Sequence, residues 1–149
     1  MIFTIPGKPQ GKARARTFYN PRLGRSQSIT PEKTILYENL IKGCFEAEDM
    51  NERWFDKEPL KMEICAYFDI PKSASRKQRE EMIKGEKTPT KKPDVDNIAK
   101  VVCDALNGVA YKDDTQIVSL YIEKRYTAEE PKVTVNICRL NSREKVEMT

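Results

Sequence analysis

The 149-residue chain contains no histidine. This absence excludes nucleophiles activated by a Ser-His or Cys-His pair, and it excludes zinc sites that use imidazole ligands. Any catalysis must therefore depend on carboxylates, lysine, tyrosine or a metal ion that prefers oxygen ligands.

Cysteines and long apolar runs are also scarce. The four cysteines lie far apart, and no two of them have the CxxC spacing of a redox or zinc motif. They are Cys44, Cys65, Cys103 and Cys138. No segment resembles a signal peptide or a membrane-spanning helix. We therefore expect reduced, packed thiols in a cytoplasmic protein that has no membrane partner.

Acidic residues are missing from the first 30 positions, although the whole chain has 23 of them. The net charge of the chain is only +4, so the basic residues of this opening segment are not balanced locally. Such an asymmetry favours a polyanionic partner, above all nucleic acid, and a solvated basic arm without a partner is the alternative.

The length and the ordered pattern of apolar positions predict one domain over residues 1–149. Strands are predicted at MIFTIPG, LKMEICAYFDI, TQIVSLYIEKRYT and PKVTVNICRL. The segment SASRKQREEMIKGEKTPTKKP predicts a short charged helix followed by a loop, and the basic stretch up to Ser28 predicts a loop or a hairpin. Together these elements predict an α+β fold, in which a small mixed or antiparallel sheet packs with helices.

Two predicted elements have a defined apolar face. Every second residue of LKMEICAYFDI is apolar over most of its length, which is typical of a strand with one buried face. Thr30 as N-cap and Pro31 at the first helical position predict the start of an amphipathic helix. The strand face consists of Leu60, Met62, Ile64, Ala66 and Phe68, and the helix face consists of Ile35, Leu36, Leu40, Ile41 and Phe45.

The stretch KKPDVDNIAKVVCDALNGVAYKDD, residues 91–114, concentrates carboxylates in this otherwise basic chain. Pro93 favours extended backbone, Asp96 suits a helix N-cap, and Gly108 ends the predicted helix. The apolar face of this helix consists of Ile98, Val101, Val102, Ala105 and Leu106. On its opposite face Asp96, Lys100 and Asp104 follow one another at intervals of four residues and form a polar stripe.

Asp113 and Asp114 precede a predicted strand, which would bring one of them back towards Asp94 and Asp96 if it packed beside the helix. Each carboxylate alone has an ordinary interpretation as a cap, a turn residue or half of a surface ion pair. Three carboxylates that converge on one point repel one another unless a cation lies among them. Because the ligands are oxygens only, the stretch predicts a Mg²⁺ site, with Mn²⁺ as the other candidate.

The segment KPDVDNIAKVVCDALNGVAYKDDTQIV resembles the central signature of the RusA-type Holliday-junction resolvases. The opening IPGKPQGKARAR and the helix SITPEKTILYENLI are similar to that family in place and order. The resemblance implies a small α+β homodimer, often phage- or prophage-encoded, that cuts four-way junction DNA with magnesium.

Carried over residue by residue, Asp94, Asp96 and Asp114 match the family's metal-binding catalytic carboxylates, and Lys100 matches its essential lysine. Lys100 would then place a cation against the scissile phosphate. An ordinary ion pair along the helix is the alternative for this lysine. Where relatives often have proline and arginine, this chain has Ala13 and Ala15, and the departure concerns DNA affinity and junction preference rather than cleavage chemistry.

Basic residues at two places in the chain are candidates for contacts with the phosphates of the junction arms. They are Lys8, Lys12, Arg14 and Arg16 in the opening segment, and Lys72, Arg76 and Lys77 beyond the second predicted strand. A two-fold dimer would present two active sites to two opposed strands. Two other functions remain open: a DNA- or RNA-binding accessory module with a structural acidic cluster, and a magnesium-dependent nuclease for flaps or single strands.

Overall fold

A computed structural model of the protein describes residues 1–48 and 52–140. Six strands are present in this part of the chain: β1 (Ile2–Pro6), β2 (Arg16–Asn20), β3 (Arg25–Ile29), β4 (Leu60–Asp69), β5 (Ile117–Thr127) and β6 (Lys132–Arg139). Three α-helices accompany them: α1 (Glu32–Glu46), α2 (Arg76–Lys84) and α3 (Val95–Leu106). A short 3₁₀ turn, Asp114–Gln116, precedes β5.

Four of the strands form a mixed sheet in the order β1-β6-β4-β5. β6 pairs antiparallel with both β1 and β4, whereas β4 and β5 run parallel. A parallel pair needs a long crossover connection, and here the crossover contains α2 and α3. The acidic stretch of residues 91–114 therefore belongs to the connection that joins two neighbouring strands.

The core lies between one face of the sheet and the helices α1 and α3. The predicted alternation of β4 is confirmed, because its five apolar residues are all buried. The predicted apolar face of α3 is confirmed in the same way. Phe3 and Ile5 of β1 and Val135 of β6 belong to the same cluster. Since full burial of one such side chain contributes about 1.5–3 kcal/mol, this cluster fixes α3 against the sheet.

The predicted helix is present as α1, and Ile41 and Phe45 of its predicted face are buried, but the prediction was wrong in two respects. The helix begins at Glu32 with Pro31 as its N-cap, so Thr30 is not the cap. Its buried residues are Thr34, Tyr37, Ile41 and Phe45. Ile35, Leu36 and Leu40 are 45%, 61% and 40% exposed. The buried residues keep helical spacing. Because α1 packs against β1 and α3, however, the buried face is rotated around the helix axis relative to the face that the apolar residues alone indicate.

The start of α3 also differs from the prediction by two residues. Asp94 is the N-cap, and Asp96 lies in the first turn. Asp94 is the N-cap because the next residue, Val95, already has helical backbone.

The remaining elements agree with the sequence. The basic opening forms the hairpin β2–β3, and α2 is a charged helix with a Ser75–Gln78 capping box and no buried residue. All four cysteines are free thiols. Among the described helices, none combines the length and the apolar character that crossing a membrane requires.

Candidate active site

The β4–β5 crossover carries all four of the predicted catalytic residues. Because α3 buries its apolar face, its opposite stripe is turned outward. Asp96 and Lys100 on this stripe are exposed, whereas Asp104 is only half-exposed. The core packing of α3 thus determines which charged groups meet the solvent.

Asp94 and Asp96 form an acidic group at the start of α3. The Asp94 carboxylate does not cap its own helix, and its Oδ2 accepts a hydrogen bond of 3.4 Å from Nδ2 of Asn97. Within residues 1–48 and 52–140, neither aspartate forms an ion pair. The positive end of the helix dipole stabilises negative charge here. Both carboxylates therefore stay available to a ligand.

Gln116 organises the loop that carries the second acidic group. Its Nε2 donates hydrogen bonds to the backbone oxygens of Trp54 and Glu58, at 2.9 and 3.2 Å. Its Oε1 accepts from the backbone N–H groups of Lys112 and Asp113, at 2.9 and 3.1 Å. Sequence reasoning missed this residue, although a polar side chain two positions after an acidic pair and directly before an apolar strand is a usable signal.

Asp113 and Asp114 differ in their surroundings. Asp113 caps the 3₁₀ turn, since its Oδ1 accepts from the backbone N–H of Thr115 at 3.3 Å. Partial burial raises the pKa of Asp114, and the hydrogen bond and charge of Asp113 and the charge of Asp104 raise it further. The ionised form of Asp114 is therefore disfavoured by its neighbours, and a cation would relieve that repulsion.

Asp104 does not pair with Lys100, contrary to the ordinary interpretation of the polar stripe. Its Oδ2 lies 3.3 Å from Nζ of Lys12. Lys100 is exposed and forms no ion pair in the described part of the chain. The ammonium group of Lys100 is consequently available for a substrate.

The acidic residues form two groups rather than one. Asp94 and Asp96 lie at the first turn of α3, whereas Asp114 lies near Asp104 at the last turn. Eight residues separate Asp96 from Asp104, which corresponds to about 12 Å along the helix axis. In the ranges that the structure describes, no three carboxylates or thiols form a ready-made metal centre. The convergence of Asp114 with Asp94 and Asp96 stays a prediction.

The chemistry of these groups fits a hard divalent cation. The donors are carboxylate oxygens, which Mg²⁺ and Mn²⁺ prefer. The nearest soft group is the thiol of Cys103. Burial, followed by the charges of Asp114 and Asp104, raises the pKa of Cys103 to about 11, so this thiol is protonated at neutral pH in the metal-free protein.

The predicted DNA-contact residues fall into two classes. Six of them are exposed: Lys8, Arg14, Arg16, Lys72, Arg76 and Lys77. Arg76 makes only a long contact of 3.8 Å with Glu80. Lys12 differs, because its side chain is only 20% exposed and its ammonium group binds two carboxylates.

A further basic pair was missed from the sequence. The ammonium groups of Lys91 and Lys124 lie 5.7 and 5.3 Å from the centroid of the Phe68 ring. Nζ of Lys124 donates to the backbone oxygen of Lys91 at 2.5 Å. This pair lies beside the chain segment that leads into Asp94. The pairing of β4 with β5 places Lys124 near Phe68, and Lys91 comes from the crossover between these strands, so no local pattern indicates the pair.

Two comparisons with known proteins bear on the family of the chain. A family model described as Endodeoxyribonuclease RusA matches residues 6–138. The chain is also similar to the uncharacterized protein YqaN of Bacillus subtilis (strain 168), with 37% identity over 137 residues, which are 91% of this chain and 93% of the relative. The family match extends from the end of β1 almost to the end of β6, and it includes both acidic groups.

Proposed function

The chain belongs to the RusA endodeoxyribonuclease family, and on that premise we propose that it resolves four-way DNA junctions by metal-dependent hydrolysis of phosphodiester bonds. The family makes the chain an endodeoxyribonuclease. The junction as substrate, the metal and the paired cutting are the parts that we propose.

One observation carries the proposal. Asp96 and Lys100 lie one helical turn apart on an exposed stripe, and within the described residues neither is engaged in an ion pair. Opposite charges at this spacing can pair, but an exposed pair stabilises a helix by only about 0.2–0.5 kcal/mol, so a stronger ligand readily competes for either group. An open carboxylate beside an open ammonium group suits a site in which one binds a cation and the other binds a phosphate.

Asp94 and Asp96 would hold Mg²⁺, with Mn²⁺ as the alternative, and we propose Asp114 as the third ligand although it lies in the second acidic group. Such an ion, when bound, lowers the pKa of a water molecule and neutralises charge on phosphate oxygens. Repulsion from Asp104 and Asp113 favours cation uptake at Asp114.

Lys100 acts directly on the substrate in this proposal. Its exposed ammonium group lies against the scissile phosphate and offsets the charge that develops in the transition state. The exposed basic residues of the predicted set bind the phosphates of the junction arms, namely Lys8, Arg14, Arg16, Lys72, Arg76 and Lys77. These contacts orient the DNA and carry no sequence information.

Two cuts at a junction require two active sites. A four-way junction has near-two-fold symmetry, and each chain carries one copy of the proposed catalytic residues. We therefore propose a two-fold homodimer, in which each copy cuts one of two opposed strands.

The test is cleavage of labelled four-way junction, duplex, flap and single strand, with magnesium and then with EDTA. The proposal predicts symmetric nicks confined to the junction and only in the presence of magnesium. Cutting confined to flaps or single strands would favour the second nuclease function. Binding without cutting of any substrate would favour the accessory module.

A further inference from the structure

Lys12 lies between β1 and β2, and its ammonium group joins two helices. Nζ is 2.5 Å from Oε1 of Glu38 in α1 and 3.3 Å from Oδ2 of Asp104 in α3. The side chains of Glu38 and Asp104 are only 17% and 32% exposed. An ion pair that is this well covered is less screened by salt than a surface pair, and removal of the cation leaves two carboxylates unpaired.

The backbone of the same segment binds the start of α3. The N–H of Lys12 donates to the backbone oxygen of Asn97 at 3.0 Å. The N–H of Ala13 donates to Oγ1 of Thr34 in α1 at 3.3 Å. Lys12 thus contacts the first turn of α3 through its backbone and the last turn through its side chain.

Gly11 permits this close approach. A Cβ atom at this position would lie 2.9 Å from Cβ of Asn97 and 3.0 Å from Cβ of Pro93. Asn97 and Pro93 flank Asp94 and Asp96 in the chain. Any side chain at position 11 must therefore displace the turn that carries these two carboxylates.

The charges at the C-terminal end of α3 explain why the ammonium group of Lys12 is needed there. Asp104 lies in the last turn, where the negative end of the helix dipole disfavours a carboxylate. Its charge also raises the pKa of Asp114. Burial lowers the pKa of Lys12, but the hydrogen bonds and charges of Glu38 and Asp104 outweigh it, so the pKa of Lys12 is raised and the group stays charged.

From this geometry we infer that Lys12 is a positioning residue of the active site and not a contact to DNA phosphates. Together with Gly11, Lys12 holds the segment before β2 against both ends of α3. The inference rests on the proposed function, because the site that Lys12 positions is the proposed nuclease site. Its ammonium group is occupied by Glu38 and Asp104 and adds no phosphate contact.

The first test is the salt dependence of junction binding in EDTA, where no cutting occurs. Lys12→Met keeps most of the aliphatic stem and removes the charge, and Arg14→Met is the matched control in the exposed part of the same segment. We expect the slope of log K against log salt to be unchanged for Lys12→Met and to fall by about 0.9 for Arg14→Met. A fall of about 0.9 for Lys12→Met would overturn the inference.

The second test is the rate of junction cleavage with magnesium and saturating protein, at a temperature where each variant is folded. We expect Lys12→Met to cut roughly 10- to 100-fold more slowly with unchanged junction affinity, which is the scale for misplaced catalytic groups. Lys12→Arg should recover most of the rate, because a guanidinium group can bind two carboxylates. A lower melting temperature with an unchanged cleavage rate would make Lys12 merely structural and would overturn the inference.

Gly11→Ala keeps every charge and covers the case in which Lys12→Met does not fold. We expect slower cleavage with an unchanged salt slope, and wild-type cleavage would contradict the role of this segment. Failure of the proposed function would appear in the wild-type protein itself, which would then cut no junction. The salt slopes of Lys12→Met and Arg14→Met would still decide whether Lys12 contacts DNA.

Discussion

Asp113 and Asp114 are adjacent in sequence, but the fold uses only the first of them as a cap. The Asp113 carboxylate accepts a backbone hydrogen bond and closes the 3₁₀ turn. The Asp114 carboxylate is half-buried and is repelled by Asp113 and Asp104. Asp113 therefore stabilises the fold, whereas the negative charge of Asp114 destabilises it.

Replacement of Asp113 and replacement of Asp114 should have different effects on the stability of the metal-free protein. Asp113→Ala should lower the free energy of unfolding by about 1 kcal/mol, the usual value of a cap. Asp114→Asn should leave the melting temperature unchanged or raise it at neutral pH, because it removes a repelled charge. Thermal denaturation in EDTA measures both effects. Destabilisation by Asp114→Asn would identify Asp114 as a turn residue.

The difference in stability between Asp114→Asn and the wild type should change with pH in a defined direction. Because the pKa of Asp114 is raised in the folded state, the native protein binds the proton more tightly than the unfolded chain. The penalty from Asp114 is thus present above its folded pKa and is relieved as the pH falls through it. The advantage of Asp114→Asn should therefore shrink between about pH 7 and about pH 4.

Gln116 should be important for stability although it is not proposed to contact DNA. Gln116→Leu removes hydrogen-bond partners from the backbone groups of Trp54, Glu58, Lys112 and Asp113. We expect the free energy of unfolding to fall by about 2–4 kcal/mol, since each unpaired buried group costs about 1–3 kcal/mol. Urea denaturation measures this decrease. A decrease below about 0.5 kcal/mol would show that water replaces these bonds.

Lys100→Ala should preserve folding and junction affinity and should slow cleavage by roughly 100-fold or more. The reason is that the ammonium group offsets charge that exists only in the transition state. Lys33→Ala, at an exposed position of α1, is the control and should cut at the wild-type rate. Single-turnover cleavage distinguishes the two variants. Wild-type cleavage by Lys100→Ala would contradict the proposed role.

Arg14 and Arg16 should contribute to binding and not to chemistry. Their joint exchange for alanine should weaken junction binding and reduce its salt slope by about 0.9 for each phosphate that the two arginines neutralise. Arg53, an exposed arginine outside the proposed DNA-binding set, provides the control Arg53→Ala. An unchanged slope for Arg14→Ala/Arg16→Ala would show that this arm does not touch the DNA backbone.

The elements that sequence predicted well are those with a strong local period. The alternation of β4 and the helical spacing of the α3 face need only neighbours within one element, so both were correct. The face of α1 was predicted only in part, at Ile41 and Phe45. Leu36 and Leu40 fit an apolar stripe as well as Tyr37 and Ile41 do, and only tertiary packing distinguishes them.

The partners of the charged groups were the least predictable feature. Asp104 and Lys100 have the spacing of an ion pair, yet Asp104 binds Lys12 from a segment 92 residues away, as the two residue numbers show. The same holds for Gln116, whose partners include Trp54 and Glu58 across the chain. Local spacing indicates which side chains share a face, but the choice of partner depends on tertiary contacts.

The central claim is that the carboxylates at the start of α3 are the metal ligands of a junction-resolving nuclease. Cleavage of a labelled four-way junction by Asp96→Asn tests it most directly, with Asp56→Asn, an exposed aspartate outside the site, as the matched control. We predict that wild type and Asp56→Asn make symmetric nicks only with magnesium, and that Asp96→Asn binds the junction equally well without cutting it. Cleavage by Asp96→Asn at the wild-type rate would contradict the account.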